Sequence, residues 1–224
     1  MVELNANDPL AYARRAMFLD IKGDHAGAQA DLDKALALKP DAIETLFQRA
    51  RHYKAVKDYP HAIADFTAVL AKNPKAFGAL IERLDAAIES GDFTRAIADG
   101  ETAVAQQPNS PVAHNNACWA RATGNRDLDK ALSECERALA LNPKSAPSID
   151  SRAFVKFRQG KFAEALKDYE AAIKLDPKQA ASLYMRGITK LRLGDKAGGE
   201  ADITAAKALE PDVGERYAKW GVTP

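Results

Sequence analysis

Apolar residues recur along this chain in steps of four and three. Ala28, Leu32 and Ala35 open the series, and the same spacing returns in Ala62, Phe66 and Val69, in Ala96, Gly100 and Ala103, and in Ala131, Cys135 and Ala138. Ala165, Tyr169 and Ala172, then Gly199, Ile203 and Ala206, complete it. Residues so spaced share one helix face, so each triplet predicts an amphipathic helix. Its first position is always alanine or glycine, which lets a second helix approach closely. That partner helix precedes it in the chain. Asp8-Pro9 and Ser110-Pro111 place a side-chain acceptor at the N-cap and proline at the first helical position. Turn signals separate the two helices at Gly23-Asp24, Lys57-Asp58, Gly91-Asp92, Gly124-Asn125, Gly160-Lys161 and Gly194-Asp195. Glycine there suits the left-handed residue that ends a helix.

The helix pairs form a repeat. Pro40, Pro74, Pro108, Pro143, Pro177 and Pro211 are separated by 34, 34, 35, 34 and 34 residues. The phrases around them (ALALKPDA, VLAKNPKA, AVAQQPNS, ALALNPKS, AIKLDPKQ, AKALEPDV) match as well. Period, small residues and terminal proline together resemble the tetratricopeptide repeat over essentially the whole chain. The resemblance implies an all-α, right-handed α-solenoid of helix-turn-helix units, with repeats at 9–42, 43–76, 77–110, 111–145, 146–179 and 180–211. Residues 1–8, with Ala6 standing where a proline would, read as the worn end of a preceding unit or a linker. Residues 212–224 read as a C-terminal capping helix presenting Val213, Tyr217 and Trp220.

Repeat four departs from its neighbours. The large residue at the fourth position is Tyr12, Leu46, Leu80, Ile149 or Leu183, but His114 in repeat four. The seventh position is Arg15, Arg49, Arg83, Arg152 or Arg186, but Ala117 in repeat four. The extra residue of the 35-residue spacing falls between Cys118 and Ala131, most economically in the turn GNRDLD.

Composition narrows the function classes. Thirty-two basic residues face 31 acidic ones, so net charge points to neither nucleic acid nor an anionic membrane. No apolar run approaches the roughly 20 residues that cross a bilayer, and MVELNANDP has neither the basic start nor the apolar core of a signal peptide. The chain reads as soluble, in the cytoplasm or periplasm of a bacterium. NNACWARA, with SRAFVKFRQGKFAEALKDY, looks like the tetratricopeptide modules of alphaproteobacterial proteins.

Catalytic and metal chemistry find little support in the motifs. His25, His52, His61 and His114 lie in different repeats without ligand spacing, so neither metal nor other cofactor is expected. GDKAGGEAD at 194–202 lacks the ending and the preceding strand of a phosphate loop. Acidic pairs such as Asp31 and Asp33 read as helix-capping or solvated groups rather than catalytic carboxylates.

The resemblance also implies a binding groove lined by the first helices. Carried onto this sequence, its positions give Arg14, Met17, Asp20, Gln48, Arg51, Lys54, Glu82, Asp85 and Glu89 in repeats one to three. Repeats four to six give Asn115, Asn116 and Trp119, then Asp150, Phe154, Phe157 and Arg158, then Tyr184, Met185, Ile188 and Arg192. An acidic middle followed by asparagines and aromatics suits an extended peptide or a partner helix. Each aromatic either faces the groove or packs between repeats, and Asn115 and Asn116 are expected to be exposed. None of the fifth positions, Ala13, Phe47, Ile81, Asn115, Asp150 and Tyr184, is lysine, so the family's clamp for a C-terminal carboxylate is not expected. Cys118 and Cys135 are expected to be buried at one helix pair, either as thiols, if their diagonal placement exceeds the roughly 7 Å limit, or as a disulfide of an oxidising compartment. The function expected is that of a non-enzymatic module binding a protein or peptide. The alternatives are the docking domain of a larger enzyme and a self-assembling module.

Overall fold

The computed structural model describes residues 7–224, so the phrase containing Ala6 lies outside the described residues. Among these there are thirteen α-helices and no strand, an all-α helical-repeat fold. The chain divides into two compact units, residues 1–92 and 93–224. The first holds α1 (Pro9–Ile21), α2 (His25–Leu38), α3 (Ile43–Ala55), α4 (Tyr59–Lys72) and α5 (Phe77–Ser90). The second holds α6 (Phe93–Gln106), α7 (Pro111–Thr123), α8 (Leu128–Leu141), α9 (Ala146–Arg158), α10 (Phe162–Leu175), α11 (Ala180–Arg192), α12 (Lys196–Leu209) and α13 (Val213–Lys219).

Local signals set the helix ends. Asp8 caps the Leu10 amide at 2.9 Å and Ser110 caps that of Ala113, each with proline at the helix start. Asp24 and Asp195 cap the second helix of their pairs through the amides of Gly27 and Gly198, both at 2.9 Å. Gly23, Gly91, Gly160 and Gly194 take positive φ in the turns, and Lys57 does the same with φ 63°. Repeat four corrects the expected turn. Gly124 is right-handed at φ −73°, and Asn125 and Asp127 are left-handed instead. Two left-handed residues absorb the inserted one. Gly124 is required for space, because a Cβ there would come within 2.9 Å of Phe93 Cβ.

The stripe predicted from the four-three spacing is the packing face. Ala28, Ala62, Ala96, Ala131 and Ala165 are buried, and a Cβ on Gly199 would meet Leu191 Cδ2 at 2.7 Å. Ala16, Ala28 and Leu32 form one cluster, and Leu139, Ile149 and Ala172 another.

A second device ties four of the pairs. The seventh-position arginine reaches a buried aspartate sixteen residues later: Arg15 to Asp31, Arg49 to Asp65, Arg152 to Asp168 and Arg186 to Asp202, each through two hydrogen bonds. Lys156 and Lys190 add a further contact to Asp168 and Asp202 at 2.8 and 2.9 Å. Burial opposes the charge of Asp202, yet Arg186 and Lys190 outweigh it and hold the carboxyl below its ordinary range.

Repeat four replaces this staple. Ala117 stands where the arginine would be, and a Cβ on Gly100 would lie 2.9 Å from Ala117 Cα, so α6 packs its backbone directly on α7. Cys118 and Cys135, one residue further along each helix, are joined by a disulfide. Their Cα atoms are 5.4 Å apart, within the bridging limit, so of the two alternatives the structure has the disulfide. The physical reason is that positions next to the facing arginine and aspartate positions face one another too. His114 sits between Glu134, 2.5 Å from Nδ1, and the Pro108 carbonyl, 2.9 Å from Nε2. Arg121 donates to Glu101 at 2.6 Å.

Both staples are open to measurement. Arg152→Ala should cost about 1–2 kcal/mol in urea denaturation, because Lys156 still answers Asp168, whereas Arg152→Ala/Lys156→Ala should cost about 3–5 kcal/mol by leaving a buried carboxylate unpaired. Alkylation of the native protein should label neither cysteine. Reduction should lower the melting temperature, by analogy with the about 3 kcal/mol that closing a loop of some 15 residues contributes.

Candidate functional site

The first-helix positions implied to line a groove divide into two sets, one in each unit. In the first unit, Met17, Asp20 and Ile21 on α1 and Gln48, Arg51, His52 and Ala55 on α3 surround a cavity of about 280 Å³. Met17 is 48 % and Ile21 80 % exposed, so apolar surface stays open to solvent here. Arg51 lies 3.7 Å from Glu82, and Lys54 bonds Glu82 and lies 3.6 Å from Asp85. Burial raises the Asp85 carboxyl above its ordinary range, Lys54 pulls it back, and Glu82 and Glu89 push it up again. The expected acidic middle is thus partly neutralised from within.

In the second unit the expected aromatic strip is covered. Phe154 is 0 %, Tyr184 2 % and Met185 0 % exposed, which corrects the reading that they face an open groove. The cause is the C-terminal segment. Tyr217 stacks on Tyr184 with ring centres 5.5 Å apart and meets Phe154 edge-on at 5.6 Å. Trp220 packs edge-on against Trp119 at 5.5 Å and lies 6.4 Å from Phe154. Val213 and Val222 are buried with them. Arg158 lies over the Phe154 ring at 5.0 Å and donates to the Trp220 carbonyl, while Arg192, itself exposed, donates to the Thr223 carbonyl at 2.9 Å. Two cations and the rings of Trp119, Phe154 and Tyr184 therefore hold the C-terminal segment as a groove would hold a peptide.

The polar residues of that face are also drawn inward. Asn115 and Asn116 are half-buried rather than exposed: Asn116 donates to the Val112 carbonyl of its own helix, and Asn115 Oδ1 lies buried without a hydrogen-bond partner. Asp150 is buried and accepts from Ser182 Oγ at 2.5 Å. Burial raises its carboxyl to about 6, against the pull of the Ser182 hydroxyl and the Arg216 charge.

One cluster escaped the sequence reading. Asp20, His25 and His52 offer one ligand atom each, all within 4.8 Å of one another. The residues come from three helices in two repeats, so no local spacing reveals them. The usable signal was that Asp20 and His52 lie almost one period apart on first helices.

The buried Asp150 gives a pH test. The folded state keeps its proton up to about pH 6, and the unfolded chain releases it near 3.8, so this contribution to stability is present below 3.8 and lost as pH rises through about 6. Asp150→Asn retains an acceptor for Ser182. From pH 4 to pH 7.5 the wild type should lose about 2–3 kcal/mol relative to this variant, read by denaturant melts across the range.

Comparison with known proteins bears on the fold. Three family models described as Tetratricopeptide repeat match residues 10–42, 47–111 and 119–183. No curated protein matches the chain. Among solved structures, a thermophilic tetratricopeptide repeat protein of Thermus thermophilus is 21% identical, covering 80% of this chain and 97% of its own, with TM-score 0.67. A tetratricopeptide repeat protein of Parabacteroides merdae is 18% identical over 95% of this chain and 90% of its own, with TM-score 0.74. PilF of Pseudomonas aeruginosa is 16% identical over 95% and 96%, with TM-score 0.64. Among the described residues no helix is long and apolar enough to cross a membrane. Period, helix pairing and these matches agree: the chain belongs to the tetratricopeptide repeat family, whose fold serves generally as a protein-interaction scaffold.

Proposed function

We propose that this chain is a non-enzymatic interaction module that receives a segment of a partner protein on the first-helix face of repeats one and two. The observation that carries the reading is the contrast between the two sets of groove positions. Those of repeats four to six are filled by Tyr217, Trp220 and Val222, whereas Met17 and Ile21 remain exposed beside Arg51 and Gln48. Exposed apolar side chains rimmed by charge mark a surface that gains from being covered. The fitting segment carries an apolar side chain for the Met17–Ile21 cavity and an acidic or carbonyl group for Arg51. The disulfide fits a periplasmic or exterior location.

The test compares three proteins as bait in a lysate of the source organism: wild type, Ile21→Asp/Arg51→Glu, and Trp220→Ala. Circular dichroism melts first establish that all three are folded. A protein retained by wild type and Trp220→Ala but lost at least about tenfold with the N-terminal double variant supports the reading. Capture indifferent to the double variant and increased by Trp220→Ala would place the binding face in repeats four to six, with the C-terminal segment as its competitor, and would overturn it.

A further inference from the structure

We propose that Asp20, His25 and His52 form a binding site for a divalent transition cation of the zinc class. The side chains converge without any metal motif in the sequence. Asp20 stands in the last turn of α1, His25 is the first residue of α2, and His52 lies in the last turn of α3. His25 Nδ1 is 3.0 Å from Asp20 Oδ1, and His52 Nδ1 is 2.8 Å from the same oxygen and 3.0 Å from Oδ2. The two imidazole centres are 6.1 Å apart, inclined at 53°.

The donor set decides the class of ion. Two imidazole nitrogens and one carboxylate suit zinc, cobalt or nickel, whereas magnesium and calcium prefer oxygen alone. Zinc bonds of about 2.0–2.1 Å hold tetrahedral ligands about 3.3 Å apart, so each Asp20–histidine pair needs to open by only a few tenths of an ångström, while the two histidine nitrogens, within 4.8 Å of one another, settle at the same spacing. His52 is buried and Asp20 partly so, which fixes two ligands in place, while the half-exposed His25 closes over the ion. Further coordination comes from the cavity that Asp20 and His52 line. Gln48, one helical turn before His52, also lines it, and its Oε1 is buried without a hydrogen-bond partner. An ion-bound water donating to that oxygen would satisfy it. A bound ion would join the end of α1, the start of α2 and the end of α3, tying the first repeat to the second. The site needs no protein partner to form.

Tag-free full-length protein, stripped with chelator, is titrated calorimetrically with zinc and separately with magnesium. The expected result is one zinc per chain, no magnesium binding, and a melting temperature that rises with zinc. His25→Gln and Asp20→Asn should each weaken zinc at least about tenfold and remove the thermal shift, while His61→Gln, which alters the exposed histidine beside Asp58, should change neither. His25 is exposed enough for its variant to fold, and its metal-free melt verifies that. No zinc binding by the wild type at tens of micromolar, or equal binding by His25→Gln and Asp20→Asn, would overturn the assignment and leave Asp20, His25 and His52 as a hydrogen-bonded cluster.

Discussion

In four of the helix pairs a carboxylate buried on the second helix has to be answered from the first, and this requirement organises the fold. Asp31, Asp65, Asp168 and Asp202 lie within the helix interface, where an unpaired charge would cost several kcal/mol. The two-bond arginine contact sixteen residues earlier meets that cost and fixes rotation and sliding of one helix against the other. Apolar contacts at alanine are too smooth to do so, since a face of Ala28, Leu32 and Ala35 can pack in several registers. The small residues set how near the helices come, and the ion pair sets where they stop.

Repeat four shows what happens when the requirement is met differently. Removing the arginine frees room, and Gly100 uses it to bring α6 against Ala117. Registration then passes to the Cys118–Cys135 bond, helped by His114 on Glu134 and Arg121 on Glu101. The covalent link is insensitive to salt and pH, unlike the ion pairs, but sensitive to reductant. This repeat lies at the start of the face that the C-terminal segment covers, so Trp119 is offered to Trp220 from a helix whose position is locked.

Much of the fold could be read from residues that repeat, because a signal repeated six times survives local exceptions. The proline ladder, the alanine at the head of each second helix and the capping Asp8 and Ser110 all act within a turn or two of themselves. What escaped reading depends on distance. Tyr217 and Trp220 were recognisable as an apolar face, but nothing local says that they reach Phe154 and Trp119 rather than only the end of the last repeat. Phe154 and Tyr184 consequently looked like open groove. The cysteines were readable in principle, since the arginine and aspartate sixteen residues apart already mark which positions face each other. The Asp20–His25–His52 cluster joins three helices and has no repeat counterpart to announce it.

The covered face and the open face obey the same chemistry. In the second unit, aromatic side chains at first-helix positions would expose a large apolar surface, and the chain meets that with its own Tyr217 and Trp220, anchored by Arg158 and Arg192 on backbone carbonyls. An intramolecular segment acts at a high effective concentration, so an external peptide has to overcome it before binding. In the first unit, Met17 and Ile21 have no such cover among the described residues, and Arg51 stands at the edge of their cavity. The energetic gain from burying apolar area is therefore already spent in repeats four to six and still available in repeats one and two. On the proposed reading, that difference, more than the identity of any groove residue, is what would direct a partner to the N-terminal face.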